Sequence, residues 1–286
     1  MDNKIYLPRT GVVITERCNL RCKLCAEYAP YYRPVPNTSY GIVKKCIDTY
    51  FLVIDRVGDL SILGGEPLLN KDVYEILYYI SQNYIDRIDR LLLLTNGTIM
   101  PKKDEILKAL TSDEIRGKFQ ISISNYGKDL SKRTVDIKDF CDKYKIKCRI
   151  INYYGNDIFC DGWVDYGDHS KKFFSDEETR MHAQKCNFRK SMYSNINFED
   201  KEAFFSRCGR AYWRYHLGIT SNNTNDVIRF PDKTNEKNIC DLRKELIDMI
   251  ASEYSDSCSY CNGMCDDSPR FKPAEQLTLD EYKKIK

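Results

Sequence analysis

Cysteines are the residues of this chain whose type and spacing most clearly point to chemistry, and the chain has 13 of them. Three lie close together near the start, at Cys18, Cys22 and Cys25, and three lie close together near the end, at Cys258, Cys261 and Cys265. The others lie between these groups: Cys46, Cys141, Cys148, Cys160, Cys186, Cys208 and Cys240. The chain opens without a basic and apolar signal sequence, so we expect a cytoplasmic protein. Reducing conditions there favour thiolates that bind metals over disulfides.

The first cysteine group has one ligand fewer than a complete cluster site needs. Cys18, Cys22 and Cys25 follow a predicted strand, whereas a [4Fe-4S] cluster is usually held by four cysteines. Three thiolates leave one iron open to a ligand that is not protein, which implies chemistry at the cluster. A structural zinc site needs a fourth cysteine or histidine at short spacing, and a thioredoxin-like site needs only Cys22 and Cys25. Both remain alternatives.

A glycine turn follows the second predicted strand, with the sequence Gly64-Gly65-Glu66-Pro67. Paired glycines let the end of a strand approach a ligand without a Cβ atom between them, and proline restricts the turn behind them. An ordinary turn from strand to helix is the alternative.

The cysteines and the glycine turn must be positioned by a scaffold. The sequence pattern predicts that this scaffold consists of alternating strands and helices. Apolar runs rich in β-formers alternate with helical patterns over residues 11–152, which is typical of βα units and a parallel sheet. After about residue 155 the alternation stops. We expect a core at 1–155, a connection at 156–185 and a cysteine-rich unit at 186–286. The predicted strands are 11–15, 60–63, 91–95, 119–124 and 148–153, with a further strand near 215–220. The predicted helices are 42–57, 73–84, 103–110, 130–144, 176–185 and 242–254.

Composition excludes several classes of protein. Of the 286 residues, 42% are hydrophobic and 12% aromatic, which is enough to close a globular core. The net charge of +3 gives no basic surface for nucleic acid or for anionic lipid, and no apolar run approaches the length of a membrane span. We therefore expect no nucleic-acid partner and no membrane partner.

The cysteine spacing 18, 22, 25 after the first strand, together with the GGEP turn after the second, resembles the radical S-adenosylmethionine (SAM) superfamily. The resemblance implies an α/β fold, a partial (β/α)6 TIM-like barrel with its site at the carboxyl ends of the strands. It also implies that the three cysteines hold a [4Fe-4S] cluster whose fourth iron binds SAM. One electron then cleaves SAM, and the 5′-deoxyadenosyl radical removes a hydrogen atom from the substrate.

The same resemblance assigns binding roles to residues at the strand ends. It places Gly64, Gly65 and Glu66 at the methionine amino group of SAM. Asn96, within Thr95-Asn96-Gly97, and Ser122 resemble strand ends that contact the ribose or the carboxylate of SAM.

The later cysteines resemble the shortened SPASM, or twitch, extension of radical SAM enzymes. That resemblance implies an auxiliary [4Fe-4S] cluster on Cys186, Cys208, Cys258 and Cys261. Cys265 and Cys240 compete for the fourth position, and either one that is not a ligand is a candidate donor of a hydrogen atom to a substrate radical. A structural zinc ribbon is the main alternative for this group.

The resemblance leaves three functions to compare. The first is a dehydrogenase that acts on a small polar molecule such as a sugar or an aminocyclitol and passes an electron to the auxiliary cluster. The second is a peptide-modifying enzyme that epimerises or crosslinks a ribosomally made precursor; only 17 residues precede Cys18, which favours the small molecule. The third is a non-catalytic iron-sulfur or zinc module. A radical SAM enzyme would receive electrons from flavodoxin or ferredoxin.

Overall fold

A single sheet, with most of its helices on one face and helix α8 (Gly209–His216) on the other, organises the computed structural model, which describes residues 4–220, 226–231 and 234–285. Its eight strands lie in the order β5-β4-β3-β2-β1-β6-β7-β8, and the six strands from β5 to β6 are parallel. β7 and β8 are antiparallel to their neighbours. The strands are β1 (Tyr6–Val13), β2 (Arg56–Leu63), β3 (Ile88–Thr95), β4 (Phe119–Asn125), β5 (Lys147–Asn152), β6 (Tyr193–Glu199), β7 (Glu202–Ser206) and β8 (Val227–Arg229).

Helices connect the parallel strands, as crossover connections require. The helices of the described residues are α1 (Tyr40–Val53), α2 (Val73–Asn83), α3 (Lys103–Ala109), α4 (Asp113–Lys118), α5 (Thr134–Lys143), α6 (Asp176–Lys185), α7 (Asn187–Lys190), α8 (Gly209–His216), α9 (Glu236–Ala251) and α10 (Leu279–Lys284).

The two faces of the sheet differ in chemistry because strand side chains alternate. Val12, Leu60, Ile62 and Ile121 are completely buried and belong to the core beneath the helices. The neighbours of Leu60, Ile62 and Ile121 face the other side and line a cavity; apart from Leu63 they are polar, namely Asp59, Ser61, Gln120 and Ser122. The cavity exists because these alternate positions do not fill the concave face of the sheet.

The predicted fold class, α/β with a partial TIM-like barrel, is confirmed by this mostly parallel sheet. All five predicted βα-unit strands are present, and so are the four helices predicted between them. The helix predicted at 176–185 is α6, and the one predicted at 242–254 is α9, which begins earlier because Asn235 caps it. The short helix α4 has no counterpart among the predictions.

The strand predicted near 215–220 is wrong, because the chain forms helix α8 up to His216 and then turns. Tyr212 and Trp213 favour a strand by residue type, but they are buried on one side of a helix against Tyr32 and Phe204. Tertiary burial decides the conformation here.

Strand β6 was not predicted, and it lies beside β1 rather than after β5. Its Asn195 and Asn197 alternate with the buried Ile196 and Phe198, a period of two that was available in the sequence. Because β6, β7 and β8 belong to the same sheet as the first five strands, the region expected as a separate unit at 186–286 shares that sheet. Residues 1–3, 221–225, 232, 233 and 286 of the predicted units lie outside the described part of the chain.

Within the described ranges, no helix has both the length and the apolar character of a membrane span.

The two faces of β2 predict opposite responses to neighbouring substitutions. Ile62→Ala removes a completely buried side chain from the core and should lower the free energy of unfolding by about 2–5 kcal/mol. Ser61→Ala changes only the wall of the cavity and should stay within about 1 kcal/mol of the wild type. Urea unfolding followed by circular dichroism measures both. Equal losses in the two variants would contradict the assignment of the faces.

Candidate functional site

The loop after β1 brings Cys18, Cys22 and Cys25 together. Burial raises the pKa of Cys18 to about 12, and the neighbouring Cys22 thiol adds to that effect. Burial likewise raises the pKa of Cys22 to about 11. The pKa of Cys25 lies well above its ordinary value, because the thiol is buried and close to Cys22 and Cys18. Buried thiols become thiolates when a cation compensates the charge, so the three side chains fit an iron site.

The glycine turn packs directly on the backbone of this loop. The Gly65 amide donates to the Thr15 carbonyl at 2.8 Å, and the Glu66 amide donates to the Arg17 carbonyl at 2.8 Å. A Cβ atom on Gly64 would lie 2.1 Å from the Thr15 oxygen, and one on Gly65 would lie 2.5 Å from the Arg17 oxygen. Both glycines are therefore required by the cysteine loop itself, besides leaving room for a ligand.

Glu66 connects the glycine turn to the end of β3. Its fully buried carboxylate accepts from the Asn96 amide at 2.8 Å, from Thr95 Oγ1 at 2.9 Å and from the Leu68 amide at 3.1 Å. Burial raises the pKa of Glu66 to about 7, and these hydrogen bonds oppose the rise. The carboxylate does not line the cavity, so within the described residues its contacts are those of a positioning group.

Asn96 lies between the two loops and the cavity. Its Nδ2 donates to Asn19 Oδ1 at 3.0 Å and lies 3.7 Å from Cys18 Sγ, within hydrogen-bond range for sulfur. Its Oδ1 accepts from the Thr98 amide at 3.1 Å. The side chain is thereby oriented at the edge of the cysteine loop.

A segment near residue 276 covers the other side of the cysteine loop, and the sequence contained no signal for it. Gln276 Nε2 donates to Cys22 Sγ at 3.2 Å, and its Oε1 accepts from the Arg21 amide at 2.7 Å. The Lys23 amide donates to the Glu275 carbonyl at 2.8 Å. These partners are 252 to 255 residues apart in sequence, and only the fold brings them together.

A cavity of about 500 Å³ begins at the glycine turn and extends over the concave face of the sheet. Of the residues expected to contact SAM, Gly64, Gly65, Asn96 and Ser122 all line it. Leu24, beside the third cysteine, lines it as well. The volume falls in the range of cofactor and substrate sites, which is about 300–1,000 Å³.

The second cysteine group converges on the far side of this cavity. The pKa of Cys208 is raised by burial, and Cys261 and Cys186 are close enough to raise it further. The pKa of Cys258 is raised by burial and by the neighbouring Cys208 and Cys261. The four cysteines predicted as auxiliary ligands are therefore neighbours, although they come from three separate places in the chain.

Cys265 and Cys240 are placed differently from each other. Cys265 is buried next to the second group. Its pKa is raised by burial and, in addition, by the nearby thiols of Cys186 and Cys261. Cys240 lies exposed on α9. Neither side chain lines the cavity, so the geometry adds no support for a hydrogen-donor role of either.

As they stand, the side chains of the described residues include no group of three or more histidine, cysteine, aspartate or glutamate residues arranged to hold a metal ion. The sites above are therefore identified by thiols that converge, and not by a preformed coordination sphere.

Two contacts join the cysteine groups to each other. Glu27, two residues after Cys25, accepts from Asn195 Nδ2 at 3.0 Å, and a Cβ atom on Gly209 would lie 2.5 Å from its carboxylate oxygen. Arg210 donates from Nη1 to the Ala26 carbonyl at 2.9 Å. The start of α8, directly after Cys208, is thus packed on the end of the first cysteine loop.

Comparison with known proteins gives the same class as the site. The model of the Radical SAM superfamily matches residues 12–152, which hold the end of β1, the cysteine loop, the glycine turn and strands β2 to β5. The chain contains a radical SAM domain, and the predicted resemblance to this superfamily is confirmed.

The curated relatives match part of the chain. A GTP 3′,8-cyclase of Aquifex aeolicus is 28% identical over 127 residues, which are 44% of this chain and 38% of the relative. The mitochondrial GTP 3′,8-cyclase of Arabidopsis thaliana is 28% identical over 165 residues, 52% of this chain and 40% of the relative. The GTP 3′,8-cyclase of Limosilactobacillus fermentum is 34% identical over 106 residues, which are 36% of this chain and 31% of the relative. The chain spans less than half the length of these relatives.

Solved structures give more distant likenesses. BtrN in complex with AdoMet and 2-DOIA has a TM-score of 0.47 and 15% identity, covering 97% of this chain and 100% of BtrN. SuiB of Streptococcus suis bound to S-adenosylmethionine has a TM-score of 0.38 and 16% identity, covering 51% of this chain and 32% of SuiB. Likeness at this level says nothing about the reaction.

The packing of the glycine turn predicts a sharp effect of one added methyl group. Gly65→Ala places a Cβ atom against the Arg17 backbone and should cost about 1–3 kcal/mol of stability, with loss of iron from the first site. Gly41→Ala, in α1 with open space around it, is the control and should be neutral or stabilising by up to about 1 kcal/mol. Thermal unfolding and iron content measure both effects. A Gly65→Ala protein with normal stability and iron would show that the contact is unimportant.

Proposed function

We propose that the chain is a radical SAM oxidoreductase that dehydrogenates a small polar substrate. One observation carries the proposal: a single cavity is lined both by residues beside the first cysteine group and by residues beside the second. Leu24 and Ala26 flank Cys25, whereas Asn187 follows Cys186 and Met264 precedes Cys265. A molecule in this cavity lies between the two groups of thiols.

In this proposal Cys18, Cys22 and Cys25 hold the SAM-binding [4Fe-4S] cluster, and Cys186, Cys208, Cys258 and Cys261 hold an auxiliary one. The clusters, when bound, supply the electron that cleaves SAM to a 5′-deoxyadenosyl radical and an acceptor for the electron left on the substrate. Gly64, Gly65, Asn96 and Ser122 form the wall that SAM would contact. Gln276 and Asn96 donate hydrogen bonds to the first group of sulfurs, and such bonds adjust the reduction potential of a cluster.

The net reaction is the oxidation of a carbon that bears a hydroxyl group. That carbon loses a hydrogen atom to the radical. The hydroxyl then loses its proton to water, and the unpaired electron left on the carbon passes to the acceptor at the second cysteine group, which leaves a carbonyl. The polar face of the sheet supports such a substrate, because Ser61, Gln120, Ser122 and Ser124 offer hydroxyl and amide groups along the cavity. We expect flavodoxin or ferredoxin to reduce the first site.

The relatives named GTP 3′,8-cyclase suggest a nucleotide substrate as an alternative. Their matches cover 36–52% of this chain and 31–40% of the relatives, so the similarity does not favour GTP over a smaller molecule. Modification of a peptide is the other alternative. The incubation in deuterated water described below distinguishes both alternatives from dehydrogenation.

Two cysteine substitutions should separate the roles of the two groups. Cys22→Ala should abolish 5′-deoxyadenosine formation in an anaerobic assay with dithionite. Cys258→Ala should still cleave SAM but yield no oxidised product. Each variant should lose about four of about eight irons per chain, since each cluster contains four. Cys46→Ala, in the core beneath the helices, is the control and should keep all its iron. SAM cleavage by Cys22→Ala would contradict the assignment of the first group. One zinc ion per chain in place of the second set of four irons would contradict that of the second group.

Incubation in deuterated water should identify the reaction class. Dehydrogenation of a polyol or amino sugar leaves a carbonyl and places no solvent deuterium at the oxidised carbon. Epimerisation of a peptide adds one deuterium, and a cyclase would consume GTP without net oxidation. Mass spectrometry of the products distinguishes the three. Turnover of GTP alone would replace the dehydrogenase proposal by the cyclase one.

A further inference from the structure

Arg210 on α8 is a buried cation at the wall of the cavity. Its side chain belongs to a residue that is 2% exposed. The guanidinium carbon lies 4.8 Å from the centre of the Tyr166 ring and 4.2 Å from that of Phe188. All three residues line the cavity. The aromatic rings therefore hold the planar cation in one orientation and shield it from bulk water.

The hydrogen bonds of this guanidinium are incomplete. Nη1 donates to the Ala26 carbonyl at 2.9 Å, whereas Nη2 is buried and has no hydrogen-bond partner among the described residues. Glu27 is close enough to interact electrostatically with the cation, but the hydrogen bond of its Oε2 comes from Asn195. Unpaired buried donors of charged groups are costly, so a free Nη2 at a cavity wall points to an acceptor that arrives with a ligand.

The other charges of the cavity favour an anionic ligand. Four arginines line it, Arg9, Arg90, Arg149 and Arg210, against the two carboxylates of Asp59 and Glu27. Arg9 and Arg90 share Asp59, at 3.5 and 2.6 Å. Among the ionisable side chains of the wall, the arginines therefore outnumber the carboxylates, and the Cys208 thiol behind the wall also interacts electrostatically with Arg210.

We propose that Arg210 Nη2 binds an anionic oxygen of the substrate, a carboxylate or a phosphate, and thereby holds the substrate between the two cysteine groups. This inference rests on the proposed function, because it names the substrate class of the same cavity. The substrate is then a hydroxyl-bearing molecule that also carries an acidic group.

Calorimetric titration of the reconstituted, SAM-loaded protein tests the binding role without turnover. Inorganic phosphate is the probe in one arm and lactate in the other, and the arm that binds identifies the acidic group. Arg210→Gln keeps hydrogen-bonding capacity near Ala26 but removes the charge, and it should weaken binding of that probe about tenfold or more. Arg133→Gln removes an exposed arginine paired with Asp136 and should leave the affinity unchanged.

The outcomes separate this inference from the proposed function. Formation of 5′-deoxyadenosine by the wild type without substrate tests the proposed function and needs no anion, whereas the titration tests the role of Arg210. Absence of that product in the wild type would overturn the proposed function and leave the titration readable. Failure of the wild type to bind either anion, or equal affinity in Arg210→Gln, would overturn the role of Arg210.

A second substitution tests the role of Arg210 without removing its charge. If Arg210→Gln does not fold, Arg210→Lys keeps the charge but cannot lie flat between the two rings, and it should bind the anion about three- to tenfold more weakly. Unchanged affinity in Arg210→Lys would then contradict the proposal.

Discussion

The architecture depends on one backbone contact, in which the Gly64-Gly65 turn lies directly against the loop that carries the first three cysteines. Both glycine positions lack the space for a Cβ atom, so the turn and the loop approach each other at hydrogen-bond distance. This contact places Glu66 where it binds the end of β3, and the end of β3 places Asn96 beside Cys18. The first site is therefore built from the ends of three adjacent parallel strands, and an error in any one of them would displace the others.

A second set of contacts makes the two cysteine groups one unit. Glu27 fits against Gly209, and Arg210 binds the Ala26 carbonyl, so the residues that follow Cys208 rest on those that follow Cys25. Because these contacts are buried, the separation of the two groups is set by packed side chains and not by a flexible connection. This arrangement suits an enzyme in which one substrate must lie within reach of both groups.

Local patterns were sufficient for the first half of the chain and insufficient for the second. The apolar runs of β2, β3 and β4 and the helical spacing between them define the parallel sheet, and the cysteine and glycine spacings define the first site. Strand β6 escaped detection because Asn195 and Asn197 resemble loop residues, and α8 was misjudged because its aromatic residues have high strand propensity. The roles of Gln276 and Arg210 depend on contacts across 254 and 184 residues, which no local pattern encodes.

The cover that the segment around Gln276 provides over Cys22 also orders the maturation of the protein. Translation produces the three thiols early and the cover of Cys22 254 residues later, so a nascent polypeptide carries these sulfurs without that cover while the intervening residues are made. Folding of the sheet can begin in that interval, since its first five strands are already made. The finished pocket around the sulfurs exists only after the segment around Gln276 has docked.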